Sequence, residues 1–261
     1  MSIAVKLKPV PEDHLFTVTV NRGDHADFEE LLAVLEETGG GRPVDAASLQ
    51  EMMSVQRFLR QFEKAGYKVW KGNQPSSGAN PVVWNPKAFK VDHMGTVPLL
   101  PAATRHGIRN MAKQLNYIRG THVESGEKAI IGAAHEIQTV GLDGRTGPAI
   151  KFVEGIDQFG RRRKVPVLVG ADWNASVNPD HQSSDERRVL APMMRHGWQW
   201  DHLKLGALPT RENRSIDAWA LHNPSHIHGP RLVMVQHWTG APTWDGRVKD
   251  HLPVYLDSRF A

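Results

Sequence analysis

Side chains able to hold a cation, move a proton or face an anion recur along this chain, each beside a stretch that reads as a β-strand. Asn21 follows Phe16-Thr17-Val18-Thr19-Val20, and Glu51 follows Ala46-Ala47-Ser48-Leu49-Gln50. His135 follows the apolar run 129–134, and Asp172 and Asn174 follow Val167-Leu168-Val169-Gly170-Ala171. Asp217 lies in Arg214-Ser215-Ile216-Asp217, and Asp250-His251 stands before Leu252-Pro253-Val254. At strand ends side chains leave the core and can converge. An Asp two residues from an Asn just past a strand places both on one face. The set offers hard oxygen donors for a cation and imidazoles for acid–base work. Cys is absent, which removes thiol nucleophiles, zinc ribbons and iron–sulfur clusters.

Taken singly, each group has a bland alternative. Glu51 suits a helix N-terminus favoured by the macrodipole. Asp172 with Asn174 suits an Asx turn, and Asp250-His251 a surface turn. With 14 His in the chain, His135 alone reads as structural. Asp217 among apolar neighbours is harder to dismiss, because a buried carboxylate needs a partner. Coincidence becomes a poor account when all of them stand beside strands.

The elements that must position these groups alternate short apolar strands with amphipathic helices. A strand is expected over 16–20, then a helix with Asp24 as its cap and Phe28, Leu31, Leu32 and Leu35 on one face, ended by Gly39-Gly40-Gly41. A strand over 45–50 precedes a second helix with Met52, Val55, Leu59 and Phe62 inward and Gly66 at its end. Short strands are expected over 67–70, 81–84 and 89–92. The segment 123–134 reads as a hairpin arm turning at Glu124-Ser125-Gly126-Glu127, and 150–159 as a third helix. The clearest core strand is 165–170. Ser184 is expected to cap a fourth helix reaching about Arg195, with strands over 216–221, 231–236 and 252–256 to follow. No Pro/Ser-rich linker divides the 261 residues, so 1–261 reads as one mixed α/β domain.

Composition is that of a soluble globular protein, 40% hydrophobic and 23% charged. No stretch approaches the roughly 20 apolar residues of a membrane-spanning helix, and the first residues lack a secretory apolar core. With no Cys, that predicts a cytoplasmic protein with no membrane partner. The net charge of +4 is compatible with a polyanionic partner without demonstrating one.

In this order the residues become recognisable. Gln50-Glu51, Gly170-Ala171-Asp172-Trp173-Asn174, Arg214-Ser215-Ile216-Asp217 and Asp250-His251-Leu252-Pro253-Val254 together resemble the endonuclease/exonuclease/phosphatase superfamily. The resemblance runs from Asn21 to Val254. It implies a four-layer α/β fold, a β-sandwich of two mixed sheets flanked by helices, with the pocket at one edge. It also implies hydrolysis of phosphate esters aided by Mg²⁺ or Mn²⁺, held by Glu51, by Asp250, and by Asn21 as an outer or neutral contributor. Asp172 matches the family Asp that takes a proton from the attacking water, and Asn174 the Asn that orients it. His251 matches the His that meets the scissile phosphate, Asp217 the Asp that holds that His, and His135 a second His that contacts phosphate or serves as leaving-group acid. The chain departs from the pattern at Ala171, where Gly is usual, at Lys249, where Ser is usual, and at Glu136, where Leu is usual.

The resemblance leaves three functions open. One is a DNA- or RNA-cleaving enzyme, another a phosphatase of inositol phosphates or phospholipid headgroups, the last a non-catalytic nucleic-acid-binding relic. Arg161-Arg162-Arg163-Lys164 reads equally as a phosphate-binding or a solvated loop, and the run 104–110 equally as a substrate-contacting or a surface loop. Trp198, Trp200, Trp238 and Trp244 are expected in the core, with one or two at a pocket rim able to stack on a base.

Overall fold

The computed structural model describes residues 8–21, 27–36, 38, 40–52, 55–73, 80–105, 108–110, 112–136, 146–201, 216–224, 231–239 and 251–261. Strand β1 (Leu15–Asn21) leads through helix α1 (Phe28–Glu36) to β2 (Ala46–Gln50). Helix α2 (Val55–Lys64) leads to β3 (Lys68–Trp70) and β4 (Val82–Trp84). The long β5 (Phe89–Leu100) precedes a small hairpin of β6 (Ala103–Arg105) and β7 (Ile108–Asn110), then β8 (Lys113–His122) and β9 (Lys128–His135). Helix α3 (Thr146–Arg161) feeds β10 (Val167–Asp172), and α4 (Ser184–Arg195) feeds β11 (Gln199–Trp200). Strands β12 (Asp217–His222), β13 (Leu232–Thr239) and β14 (Val254–Phe260) complete the order.

Two mixed sheets result, ordered β13-β14-β1-β2-β4-β3 and β11-β12-β10-β9-β8-β5. Each has one parallel pair near its centre, β1 with β2 and β9 with β10. Parallel neighbours need a crossover, and α1 and α3 supply it. Three apolar layers follow. Phe16, Val18 and Val20 face α1 and α2, alongside Leu31, Leu35 and Phe62. Leu15, Ile131, Leu168, Trp219 and Leu256 fill the space between the sheets. Phe152, Ile156, Val169 and Met193 seal the second sheet under α3 and α4. The architecture is therefore helix, sheet, sheet, helix.

The two sheets come closest just below the ends of their parallel strands. Thr19, Ser48 and Gln50 face Gly132 and Gly170 there. A Cβ on residue 170 would lie 2.7 Å from the Ser48 Cβ and 2.9 Å from that of Thr19, inside contact distance. The Ser48 hydroxyl donates to the Gly132 carbonyl, and Gln50 Nε2 donates to the Gly170 carbonyl at 3.3 Å. Small and polar residues here let the sheets approach, while larger apolar ones hold them apart elsewhere.

Several local expectations shift. Asp24 lies outside the described residues. Asp27 caps α1 instead, its Oδ1 accepting from the Glu30 amide at 3.0 Å while Glu30 Oε2 accepts from the Asp27 amide at 3.1 Å. The cap of α4 is Ser183, one residue earlier than expected, in a reciprocal capping box with Glu186. The hairpin is larger than the sequence suggests, since β8 is a full strand whose buried Asn116 breaks the apolar alternation. That Asn is satisfied from both sides, accepting from the Thr96 hydroxyl and donating to the Asn80 carbonyl, each at 2.8 Å. Trp198, Trp200 and Trp238 are core residues. Trp244 lies outside the described residues. No described helix is long and apolar enough to cross a membrane.

Candidate active site

Strand register places the first groups. His135 at the end of β9 pairs with Asp172 at the end of β10, and Asp172 pairs with Asp217 at the start of β12. Because β12 runs antiparallel, its first residue arrives where its neighbours end. In the other sheet Asn21 pairs with Gln50, so Glu51 sits one step past the same level. The close approach at Gly170 then brings the two rows together. Asn21 Nδ2 donates to Asp172 Oδ2 at 2.9 Å, across the gap between the sheets. The ligating atoms of Glu51, His135 and Asp172 lie within 4.8 Å of one another, and so do those of Asp172, Asp217 and His251.

Two of these residues have a backbone that L side chains seldom adopt. Glu51 has φ 56° and Asn174 has φ 47°. Asn tolerates the left-handed region; for Glu it costs of order 1–3 kcal/mol. Such strain persists only where the surroundings impose it, and both instances fall at the edge of this pocket. The turn at Asn174 lets its amide donate to Asp172 Oδ1 at 2.8 Å and its Nδ2 to the Glu136 carbonyl at 3.4 Å. The loop beyond is tied down by Glu186, whose Oε1 accepts from the Ser176 amide at 2.9 Å. Trp173 next to Asp172 is buried, donates to the Ala218 carbonyl at 3.1 Å and stacks edge-on against Trp200.

Asp172 is 2% exposed. Burial, and then the charge of Asp217, push its carboxyl up to about 7 in the protein without metal; His251 and the bonds from Asn174 and Asn21 oppose the rise. His251 Nδ1 meets Asp217 Oδ2 at 2.8 Å, with both residues buried. His135 Nε2 has no hydrogen-bond partner among the described residues; it lies 3.6 Å from Asp172 Oδ2 and 3.8 Å from Glu51 Oε1. Burial first, then the charges of Lys113 and His251, hold His135 well below its ordinary pKa, so its imidazole is neutral at neutral pH. A neutral, unpartnered ring nitrogen facing two carboxylates suits a cation between them. The donor set therefore fits a divalent metal.

Asn21, Glu51, His135, Asp172, Asn174, Asp217 and His251 all gather here, while Asp250 and Lys249 lie outside the described residues. Lys113 was not foreseen. It opens β8, its Nζ donates to the Glu136 carbonyl at 2.8 Å, and burial lowers its pKa against the pull of Glu136, Asp172 and Glu51. A lone Lys before an unrecognised strand gives no sequence signal. The Glu136 carbonyl, which holds both Lys113 and Asn174, leaves no trace in the sequence at all, because any residue supplies one.

Neither a protein-family model nor a curated protein sequence matches the chain. Solved structures do match its shape. An endonuclease/exonuclease/phosphatase from Bacteroides vulgatus superposes with TM-score 0.70 at 11% identity, over 95% of this chain and 99% of that one. D. rerio TDP2, complexed with a single-strand DNA product, gives 0.71 at 14% over 94% and 99%. The Bacteroides thetaiotaomicron mannosyl-6-phosphatase Bt3783 gives 0.65 at 13% over 94% and 100%. The fold is that of the endonuclease/exonuclease/phosphatase superfamily.

Proposed function

We propose that this protein is a phosphoester hydrolase dependent on Mg²⁺ or Mn²⁺, acting as a phosphodiesterase on DNA or RNA. One observation carries the reading: Glu51 and Asn21 from one sheet converge with His135, Asp172 and the Asp217–His251 pair from the other. Accidental polar strand ends would not share one pocket at these distances.

The residues divide the work as follows. Asp172 accepts a proton from water as the water oxygen attacks phosphorus, and a base near 7 suits that transfer at neutral pH. Asn174 and Asn21 donate to its two oxygens and hold its plane. With Nδ1 committed to Asp217, His251 presents Nε2 to the phosphate and gives its proton to the departing oxygen as the P–O bond breaks; the Asp217 carboxylate stabilises the charged ring. His135 contacts phosphate as a neutral group. Lys113 adds positive charge near the phosphoryl oxygens. Glu51 and Asp250 would hold the metal, with the Asn21 amide oxygen beside them. When bound, the metal supplies Lewis-acid stabilisation of charge developing on phosphoryl oxygen.

A DNA or RNA substrate is supported by the basic balance and by the likeness to TDP2, a protein seen with DNA product. We take the chain as one domain, since the core between the sheets draws on strands from both halves. The likeness to a mannosyl-6-phosphatase supports a phosphomonoester as the second reading. The purified protein with Mg²⁺ or Mn²⁺ should cleave at least one of single-stranded, double-stranded and abasic DNA or RNA. Release of inorganic phosphate from sugar or inositol phosphates, with every nucleic acid intact, would replace this reading by the second. No cleavage of either class would leave a binding protein.

A further inference from the structure

A second cleft lies far from the carboxylates. It is about 520 Å³ in volume and opens at the other end of β9 and β10, where Ile130 and Val165 form its apolar floor. On those strands Ile130 and Val167 are five positions before His135 and Asp172. At about 3.3 Å per residue the two sites are roughly 17 Å apart. The walls are strongly cationic: Arg119, Lys128, Arg162, Arg163 and Lys164. Asp92 answers two of them, accepting from Arg119 Nε at 2.7 Å and pairing with Lys128 Nζ at 3.4 Å. Arg162, Arg163 and Lys164 have no acidic partner among the described residues. Arg163 is held in place by the Phe159 ring, 4.0 Å from its guanidinium carbon, and its Nε is buried without a hydrogen-bond partner. His93, exposed at the rim, bonds through Nε2 to the Tyr117 hydroxyl at 3.1 Å.

We propose that this cleft binds the phosphate backbone of a nucleic-acid strand whose scissile bond lies in the carboxylate pocket. Like-charged side chains gathered around one hollow repel each other, and a polyanion relieves that repulsion while releasing its own counterions. Arg forks match phosphate oxygens, and an exposed imidazole offers a flat face to a base. Edge strand β5 runs from His93 at this cleft to Leu100, which pairs with Lys113 beside the carboxylates, so one edge strand joins the two sites. The proposal rests on the nuclease reading and extends it: long strands should bind better than short ones.

Binding of a fluorescent 20-nucleotide single strand to the full chain, measured by anisotropy without divalent metal, tests this. The double variant Arg162→Gln/Lys164→Gln changes only exposed side chains. It should weaken binding about tenfold and lower the slope of log affinity against log salt by about 1.4, for two lost phosphate contacts. Binding of a dinucleotide, and metal-dependent hydrolysis of bis(p-nitrophenyl) phosphate, should not change. Unaltered affinity and slope for the 20-mer would overturn the proposal. So would loss of binding to phosphatidylserine vesicles with DNA binding intact, which would make the cleft a membrane contact. If wild type cleaves no phosphodiester yet its strand binding depends on these two residues, the nuclease reading fails and the cleft stands. If it cleaves DNA and the variant binds like wild type, the cleft fails and the nuclease reading stands.

Discussion

Burial raises Asp172 to about 7, while Asn21 and the Asn174 amide donate to its oxygens. In metal-free protein the folded state therefore keeps a proton that the unfolded chain loses near 3.8, its ordinary value. The stability from this group is full below about pH 4 and declines as pH rises through about 7. Asp172→Asn cannot ionise, so its Tm relative to wild type should climb between pH 4 and 8 in the presence of a chelator. Parallel Tm curves for the two proteins would contradict the shifted carboxyl. The same variant, and His251→Ala, should lower kcat by about 10²–10⁴ while far-ultraviolet circular dichroism stays that of wild type. Retained rates within about tenfold would remove these residues from the chemistry.

Strand ends and the loop after β10 set where those groups stand. The contact of Gly170 with Ser48 and Thr19 leaves no room for a methyl group, so Gly170→Ala must part the sheets where Asn21 reaches Asp172. We expect a loss of about 1–3 kcal/mol in urea unfolding, together with a fall in kcat. Unchanged stability would mean that the sheets do not touch there. At the cap of α4, Ser183→Ala should cost about 1 kcal/mol with kcat unchanged. Glu186→Ala should cost more and also lower kcat, because it releases the Ser176 amide and the loop carrying Asn174. Equal effects of the two on kcat would argue against this anchoring role.

Across the whole molecule, Glu51 belongs to one sheet and His135 with Asp172 to the other, so a cation held at Glu51 would also face the second sheet's ligating atoms and favour the closed sandwich. Metal binding should then raise Tm with concentration, by about 2.7 kcal/mol of stability at a hundredfold excess over Kd. Glu51→Gln should shift that titration, and the metal dependence of turnover, to higher concentration. A Tm indifferent to Mg²⁺ and Mn²⁺ would refute a cation in this pocket. Chelated protein should also lose activity and regain it on addition of either ion.

The sequence alone went far for residues whose own side chains gather at the pocket. Glu51, Asp172, Asn174, Asp217 and His251 stand beside short apolar strands, and their types and order pointed to one fold and one pocket. Strand edges slipped by a residue or more, and β8 was missed, because buried polar residues such as Asn116 blur the alternation that marks a strand. Only the tertiary structure placed Lys113, the Glu136 carbonyl and the left-handed turn at Glu51, since backbone groups and φ angles are not written in side-chain type. It alone also set the gap between the sheets. Pattern along a chain records which face of a strand is apolar; how closely two strands distant in sequence approach depends on the side chains that meet between them, here Ser48 and Thr19 against a glycine.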